Sequence, residues 1–241
     1  MSSLEGMTSA TRIGILGGTF DPVHVGHIDT ALAGLHALAL DHVLFLPSGT
    51  PPHRTVQPSA SRFHRFALAA LAVTGVSGLM VSDLEIGATG PCYTFDTLVR
   101  LHGTGLAAAQ IFFITGADAF AEIETWSRYP QVLEMANFVV VSRPGYKVSA
   151  LPARLPAQAA RMYDLSTTVD AESTLVNQPA GVRIALVDAP TRDVSSTEIR
   201  RRLESGLSIA DLVPAAVDTY IQQHGLYSRH ATNARFGRSL A

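Results

Sequence analysis

The stretch GGTFDPVHVGH, residues 17–27, decides the fold of this chain. It follows a short aliphatic run, IGIL at residues 13–16, with the length and composition of a buried strand. It precedes an apolar-periodic segment at residues 28–40 that predicts a helix. A glycine pair at a strand end lets backbone N–H groups approach a phosphate, and the helix N-terminus that follows adds partial positive charge. The stretch therefore predicts a strand, a phosphate-binding turn and a helix in succession.

Two histidines of this stretch, His24 and His27, are three residues apart and would share one face of the first helical turn. Taken without their neighbours, they would be interpreted as a capping or surface pair. A zinc site would need further ligands, which the sequence does not identify. The glycines around them, Gly17, Gly18 and Gly26, favour the interpretation that both imidazoles face bound phosphates.

A second motif, VSSTEIR at residues 194–200, opens a predicted helix near the C-terminus. Ser195, Ser196 and Thr197 suit an ordinary helix cap, and such hydroxyls together with free N–H groups also form an anion site. Arg200 would lie one turn later on the same face and add a guanidinium group that can donate two parallel hydrogen bonds to an anion. The common fingerprints G-x-G-x-x-G and G-x-x-x-x-G-K-[ST] do not occur, so neither ordinary dinucleotide binding nor P-loop hydrolysis is supported.

The composition favours one α/β domain in a reducing compartment. The chain has 241 residues, 47% of them hydrophobic, and its formal net charge of −2 gives no electrostatic basis for nucleic-acid binding. A single cysteine, Cys92, excludes an internal disulfide and a multi-cysteine metal site. No apolar run approaches the roughly 20 residues that cross a bilayer, and the start of the chain lacks the apolar core of a signal peptide. We therefore expect a cytoplasmic protein with no nucleic-acid or membrane partner.

Alternating strand-like and helix-like segments predict a single domain over residues 12–228, between disordered extensions at 1–11 and 229–241. The predicted strands are residues 13–16, 42–46, 79–86, 111–115, 138–142 and 183–187. The predicted helices are residues 28–40, 60–73, 94–101, 153–162, 196–203 and 214–223. Residues 166–180 are polar and indicate a loop.

Together the two motifs resemble the nucleotidylyltransferase superfamily, whose members carry H-x-G-H after the first strand and I-S-S-T-x-x-R near the C-terminus. The resemblance implies a doubly wound parallel sheet of Rossmann-like topology, with the nucleotide at the carboxyl ends of the strands. It implies catalytic roles for His24, His27 and Arg200, since both motifs clamp the ATP phosphates in that superfamily. It also implies Mg²⁺ held mainly by those phosphates, without a metal site built from protein side chains.

The middle of the chain narrows the resemblance to the bacterial nicotinate mononucleotide adenylyltransferases. The segments that carry it are residues 51–54, 91–98, 116–118, 126 and 142–145, followed by the ending at 212–227. The resemblance implies ATP and nicotinate mononucleotide as ligands, and transfer of the adenylyl group in NAD biosynthesis to give deamido-NAD and pyrophosphate. It leaves assembly into a homo-oligomer open.

The resemblance also assigns residues to each ligand. Beyond the catalytic set, it places Gly17, Gly18, Thr19, Phe20, Gly26, Gly116, Asp118, Ser195, Ser196 and Thr197 at ATP, and His53, Arg54, Tyr93, Thr94, Trp126 and Arg143 at the mononucleotide. Simpler explanations exist for several of them: core packing for Trp126, a helix cap for Asp118 and turn chemistry for Arg143.

Ser127 stands where many relatives place a second aromatic residue, and it bears on the preference for the acid over the amide. Three alternatives therefore stay open: an adenylyltransferase for nicotinamide mononucleotide, one for phosphopantetheine, and a non-catalytic nucleotide-binding protein. Trp126 and the Tyr93-Thr94 pair argue against phosphopantetheine. The presence of His24, His27 and Arg200 argues against loss of catalysis. A cytidylyltransferase would carry a C-terminal Arg-Thr-Glu-Gly signature, which is absent.

Overall fold

The computed structural model describes residues 11–52, 57–146, 148, 151, 168–170 and 184–228. In these residues strands and helices alternate along the chain. The strands are β1 Ile13–Gly18, β2 His42–Pro47, β3 Leu79–Val81, β4 Ile111–Gly116, β5 Asn137–Val141, β6 Thr168–Asp170 and β7 Ile184–Asp188. The helices are α1 Val25–Ala37, α2 Arg62–Val73, α3 Thr94–Gly103, α4 Ala117–Phe120, α5 Ser196–Glu204 and α6 Ala215–Gln223. Short 3-10 turns lie at Ala108–Gln110, Ile123–Thr125 and Gln131–Glu134.

The strands form one sheet in the order β3-β2-β1-β4-β5-β7-β6, and neighbouring strands run parallel. Ile15 of β1 pairs with Leu44 on one side and with Phe113 on the other. The chain progresses outward from β1 in one direction and from β4 in the other, so the strand order reverses between them. At such a switch point the two following connections leave to opposite faces and open a crevice at the carboxyl ends of the strands.

Both faces of the sheet are covered by apolar layers. On one face Leu16 packs with residues of α1, α2, α5 and α6, and on the other Ile13 and Ile15 pack with residues of α3, α4 and the 3-10 turns. A Cβ atom at Gly14 would approach Val43 Cγ2 to 2.8 Å and Ile114 Cδ1 to 2.9 Å, so this strand position requires glycine. The doubly wound α/β fold expected from the sequence is therefore observed.

Some predicted boundaries were wrong. The strand predicted at 79–86 ends at Val81, because a turn follows in which Ile86 N donates to Asp83 O. The predicted loop at 166–180 contains β6, whose three residues are too few to show an alternating pattern and are recruited by pairing with β7. α1 begins at Val25 and ends at Ala37, because Ala39 has a φ of 46° that ends the helical turns.

The predicted helix at 153–162 and the predicted extensions at 1–10 and 229–241 lie outside the described residues. None of the helices in the described part of the chain is both long and apolar enough to cross a membrane.

Candidate active site

A cavity of about 500 Å³ opens at the switch point, over the carboxyl ends of β1 and β4. It brings together predicted residues from segments that are far apart in the chain: Gly17, Gly18, Thr19, His27, Tyr93, Thr94, Gly116, Asp118, Trp126 and Arg143. Strand-end residues converge here because parallel strands present their carboxyl ends at one edge of the sheet. The cavity therefore joins the residues predicted for ATP with those predicted for the mononucleotide.

The two histidines of the first motif form a stacked pair at the start of α1. His24 occupies the cap position and is 2% exposed, and its ring lies 3.6 Å from the His27 ring, centroid to centroid. The His24 backbone N–H donates to His27 Nδ1 at 3.2 Å. Because a backbone N–H can only donate, Nδ1 is the unprotonated nitrogen of a neutral ring, and the hydrogen is assigned to Nε2. The Nε2–H is therefore the donor that His27, which lines the cavity, retains for another acceptor.

Burial keeps both imidazoles neutral. Burial, reinforced by the positive charge of Arg143, lowers the pKa of His24 to about 3. Burial and the neighbouring His24 lower the pKa of His27 well below its ordinary value. At physiological pH both rings are therefore uncharged. His27 and the cationic Arg143 line the cavity, whereas His24 lies outside its lining.

Two residues predicted at ATP lie behind this pair rather than in the cavity lining. Phe20 is 2% exposed and its ring meets the His27 ring nearly at right angles, with centroids 4.9 Å apart. A Cβ atom at Gly26 would come within 3.1 Å of Arg192 O and 3.2 Å of His24 Nδ1. Both residues thus support the position of the histidines, and their contact with ATP stays a prediction.

The second motif begins with a helix cap, as the simpler interpretation expected. Ser195 Oγ accepts from Glu198 N at 3.1 Å at the start of α5. The preceding loop is fixed to α1, since the Arg192 guanidinium donates to both carboxylate oxygens of Asp29, at 2.7 and 2.8 Å. This ion pair orients the second motif relative to the helix that carries His27.

The rest of the second motif docks on the loop that follows β1. Ser196 Oγ donates to Pro22 O at 2.8 Å, and Arg200 Nη1 donates to Asp21 O at 2.6 Å. Arg200 Nη2 also donates to Thr197 Oγ1 at 3.2 Å. The motif is thus beside the phosphate loop but outside the cavity lining, and the phosphate contacts of residues 195–197 and of Arg200 stay predictions.

Trp126 belongs both to the core and to the cavity. Its ring contacts Phe113 edge-on, with centroids 5.9 Å apart, and lies 6.3 Å from the ring of Phe138. The same residue lines the cavity together with Ser127. The half-buried indole therefore has an apolar surface available for a flat ring. His53 and Arg54, also predicted at the mononucleotide, lie outside the described residues.

Asp118 and Arg143 face each other across the end of β4, with Oδ2 and Nη1 3.3 Å apart. A Cβ atom at Gly116 would meet Asp118 Oδ1 at 2.5 Å and Arg143 Cδ at 3.0 Å, so a larger residue here would displace at least one of these side chains. The backbone of Arg143 also closes a turn with Tyr146, as the simpler interpretation expected, while its side chain lines the cavity.

Sequence reasoning missed Glu85, a buried carboxyl group in the cavity wall. Its Oε1 accepts a hydrogen bond from Thr97 Oγ1, which also lies 3.1 Å from Tyr93 O at the start of α3. Burial raises the pKa of Glu85. Glu85 falls within the segment predicted as a strand, and no local pattern marks the charged residue between Leu84 and Ile86 as buried.

The fold, its switch-point cavity and the histidine pair define a nucleotidylyltransferase. Residues 15–202 match the family described as cytidylyltransferase-like. The chain is 36% identical over 227 residues to the probable nicotinate-nucleotide adenylyltransferase of Thermoanaerobacter sp. (strain X514), covering 94% of this chain and 99% of the relative. It is 40% identical over 216 residues to the probable nicotinate-nucleotide adenylyltransferase of Pseudomonas fluorescens, covering 90% and 97%.

Solved structures agree with the fold. The nicotinic acid mononucleotide adenylyltransferase of Plasmodium falciparum complexed with NaAD superposes with a TM-score of 0.66 at 18% identity, covering 90% of this chain and 97% of that one. The same enzyme complexed with APC gives a TM-score of 0.62. The chain belongs to the nicotinate-nucleotide adenylyltransferases of the cytidylyltransferase-like family.

Proposed function

We propose that this protein transfers the adenylyl group of ATP to nicotinate mononucleotide, giving deamido-NAD and pyrophosphate, in NAD biosynthesis. The observation that carries the proposal is that one cavity joins the glycine-rich end of β1 and His27 to Trp126 and the start of α3. The names of the curated relatives, and the structural neighbour complexed with NaAD, support the same reaction.

The reaction needs no general base from the protein. A phosphate monoester has a second pKa near 6, so the mononucleotide phosphate is mostly dianionic at neutral pH. One of its oxygens forms a bond to the α-phosphorus of ATP as the bond from that phosphorus to the bridging oxygen breaks, and the electron pair leaves with pyrophosphate. The protein contributes alignment of the two phosphates and stabilisation of charge on the leaving group.

Neutral donors suit this task. His27, Gly18 and Thr19 line the cavity at the carboxyl end of β1, where the triphosphate is proposed to lie. The Nε2–H of His27 and the backbone N–H groups of this loop are the proposed donors to it. Fixed hydrogen-bond donors stabilise charge that develops in the transition state without having to reorganise. Arg200 and the start of α5 stand beside this loop and are proposed to close on the β- and γ-phosphates.

The part of the lining that contains Trp126 and the start of α3 suits a pyridine carboxylate. Trp126 offers an aromatic surface for stacking, and Tyr93 and Thr94 begin α3, a helix of 10 residues. The free N–H groups and the positive dipole end of a helix favour an anion over a neutral amide. The proposal therefore includes preference for nicotinate mononucleotide over its amide.

Mg²⁺ is proposed to accompany ATP. In the described residues no three His, Cys, Asp or Glu side chains come together as a protein metal site would require. Mg²⁺ commonly keeps several waters and takes its other ligands from substrate phosphates. The bound ion would neutralise phosphate charge, while Asp118 remains paired with Arg143.

The direct test is pyrophosphate release by the purified protein with ATP and Mg²⁺, using nicotinate mononucleotide, nicotinamide mononucleotide and phosphopantetheine in parallel. Higher kcat/KM with the acid is the expected result. Equal use of the amide would retain the chemistry and refute the assigned preference, whereas activity with phosphopantetheine alone would refute the substrate. Failure with every acceptor would favour a non-catalytic nucleotide-binding protein.

A further inference from the structure

Arg65 is the largest fully buried side chain of the described residues, at 1% exposure. It lies on the face of α2 that also buries Leu68, Ala69 and Ala72. A guanidinium group is costly to bury unless its N–H groups are all engaged by acceptors. The acceptors that surround the Arg65 guanidinium are therefore what allows it to be buried.

The Arg65 guanidinium joins three separate backbone segments. Nη1 donates to Thr19 O at 2.7 Å, in the loop after β1. Nη2 donates to Gly49 O at 3.1 Å, in the loop after β2, and Nε donates to Ala60 O at 3.4 Å, just before α2. The first two loops form adjacent parts of the cavity wall, where Thr19 and Ser48 line it. One side chain thus ties the glycine-rich loop to the loop beside it.

These bonds also fix the direction of two peptide groups. Thr19 O belongs to the peptide bond that precedes Phe20, whose φ of 50° is in the left-handed region. That conformation is unfavourable for a non-glycine residue and persists only where surrounding contacts hold it. In a planar trans peptide the C=O and N–H groups point in opposite directions. Because Thr19 O is directed at Arg65, the N–H of Phe20 points away from the guanidinium. Gly49 O likewise turns the N–H of Thr50 away from it. In the described part of the chain neither N–H donates to a protein acceptor.

We propose that Arg65 is a positioning residue for adenylyl transfer, which holds the Thr19–Phe20 and Gly49–Thr50 peptides so that the two loops align the attacking phosphate with the α-phosphate of ATP. The proposal rests on the proposed function, because it assigns Arg65 a part in aligning that reaction. Arg65 touches neither phosphate and acts through the two loops.

The test compares Arg65→Lys and Arg65→Met with Ser61→Ala. Lysine keeps the buried charge but cannot reach the three carbonyls together, and methionine removes the charge. Ser61 Oγ caps the same helix by accepting from His64 N at 3.3 Å, so Ser61→Ala weakens α2 without touching the Arg65 carbonyls. The measurements are kcat, both KM values and the melting temperature of each variant.

Misalignment predicts a loss concentrated in kcat. We expect kcat to fall by about tenfold in Arg65→Lys and about 10²-fold in Arg65→Met, with each KM within about threefold of wild type. Ser61→Ala should keep the wild-type kcat despite its lower melting temperature. If Arg65→Met does not fold, the result is taken from Arg65→Lys. Wild-type kcat in Arg65→Lys, or an equal loss in Ser61→Ala, would overturn the positioning role.

A readout independent of turnover separates this proposal from the proposed function. The amide ¹H–¹⁵N resonances of Phe20 and Thr50 should shift when ATP is added to the wild type, and this response should be lost in Arg65→Lys. If nicotinate mononucleotide proves not to be the acceptor while this difference persists, the substrate assignment fails and the loop-holding role stands. If both amides respond to ATP equally in the two proteins, the loop-holding role fails.

Discussion

Replacing His27 with asparagine separates the two hydrogen bonds that this imidazole can make. Nδ1 accepts from the His24 backbone N–H, whereas Nε2 is left for the cavity. The amide oxygen of asparagine reaches the place of Nδ1 and preserves the acceptor, but nothing in His27→Asn replaces the Nε2–H donor. His27→Gln is the complementary variant, because its longer amide reaches the place of Nε2.

The expected loss of kcat in His27→Asn follows from the neutral state of the His27 ring. Loss of one fixed donor to a developing charge costs about 2.7–4 kcal/mol, or about 10²–10³ in kcat. Because burial holds the pKa of His27 well below its ordinary value, the donor is uncharged and the lower end of that range applies, about 10². Since the acceptor survives, the free energy of unfolding of His27→Asn should stay within about 1 kcal/mol of wild type.

The assay is steady-state pyrophosphate release at saturating ATP and mononucleotide, with urea unfolding of the same preparations. We expect His27→Asn to lose about 10² in kcat, and His27→Gln to lose less than His27→Asn because it keeps a donor. His27→Ala lacks both groups and should lose kcat and stability together. A kcat of His27→Asn within a few-fold of wild type would refute the donor role, as would an equal loss in His27→Gln.

The pH dependence follows from the same pair. Burial lowers the pKa of His24 to about 3 and that of His27 well below 6.5, so both rings stay neutral as the pH rises from 6 to 9. A cationic pair would instead lose its charge, and the enzyme its activity, as the pH passed about 6.5. We expect kcat to show no such loss in stopped-time assays from pH 6 to 9, and a fall in kcat across pH 6.5 would refute the neutral state of the pair.

Three further perturbations test other parts of the site. Trp126→Ala should raise KM for the mononucleotide by about tenfold and leave KM for ATP nearly unchanged, because only the mononucleotide is proposed to stack on the indole; equal increases would indicate a packing role. Tyr227→Phe removes a 3.0 Å hydrogen bond from the Tyr227 hydroxyl to buried Asp21 Oδ1, which should lower the free energy of unfolding by about 1.5–3 kcal/mol in urea titrations; an unchanged midpoint would contradict the value assigned to this bond. Burial raises the pKa of Glu85 above its unfolded value, so its stabilising contribution is complete below the unfolded pKa and is lost as the pH rises through the folded pKa. Glu85→Gln removes that dependence. The free energy of unfolding of Glu85→Gln minus that of wild type should therefore be larger at pH 8 than at pH 5. The same difference at both pH values would show that Glu85 has no raised pKa.

Much of the sheet, and the position of the cavity at its edge, could be predicted because they depend on local sequence patterns. Residues 111–114 of β4 and 138–141 of β5 are uninterrupted aliphatic and aromatic runs, which identify buried strands without knowledge of their partners. The grouping of Thr19, Gly116 and Arg143 around one cavity could also be expected, since each lies at or just after the carboxyl end of a parallel strand. These features need only residue type, spacing and the geometry of parallel sheets.

Arg65 and Glu85, which contact the loops and the helix around the cavity, could not be assigned in this way. The helical period does place Arg65 on the buried face of α2, and that was an available signal. Its partners, however, are carbonyl groups 46 and 16 residues earlier in the chain, and any residue type supplies a carbonyl. Glu85 was missed for a similar reason, because the turn that directs it inward begins where β3 ends, and the sequence does not mark that end.

The bond between Tyr227 and Asp21 has a consequence for how the protein is made. It joins positions 206 residues apart, and Asp21 is fully buried next to the loop that would hold the triphosphate. During synthesis from the N-terminus, the glycine-rich loop emerges among the first residues but lacks this partner until nearly the whole described chain has been translated. Until then a carboxylate destined for the interior remains exposed or incompletely satisfied. A nascent chain that stops before position 227 would therefore lack the Tyr227 hydrogen bond, even though all the described strands have been translated. Such a chain should be cleaved by proteases more readily than the finished protein.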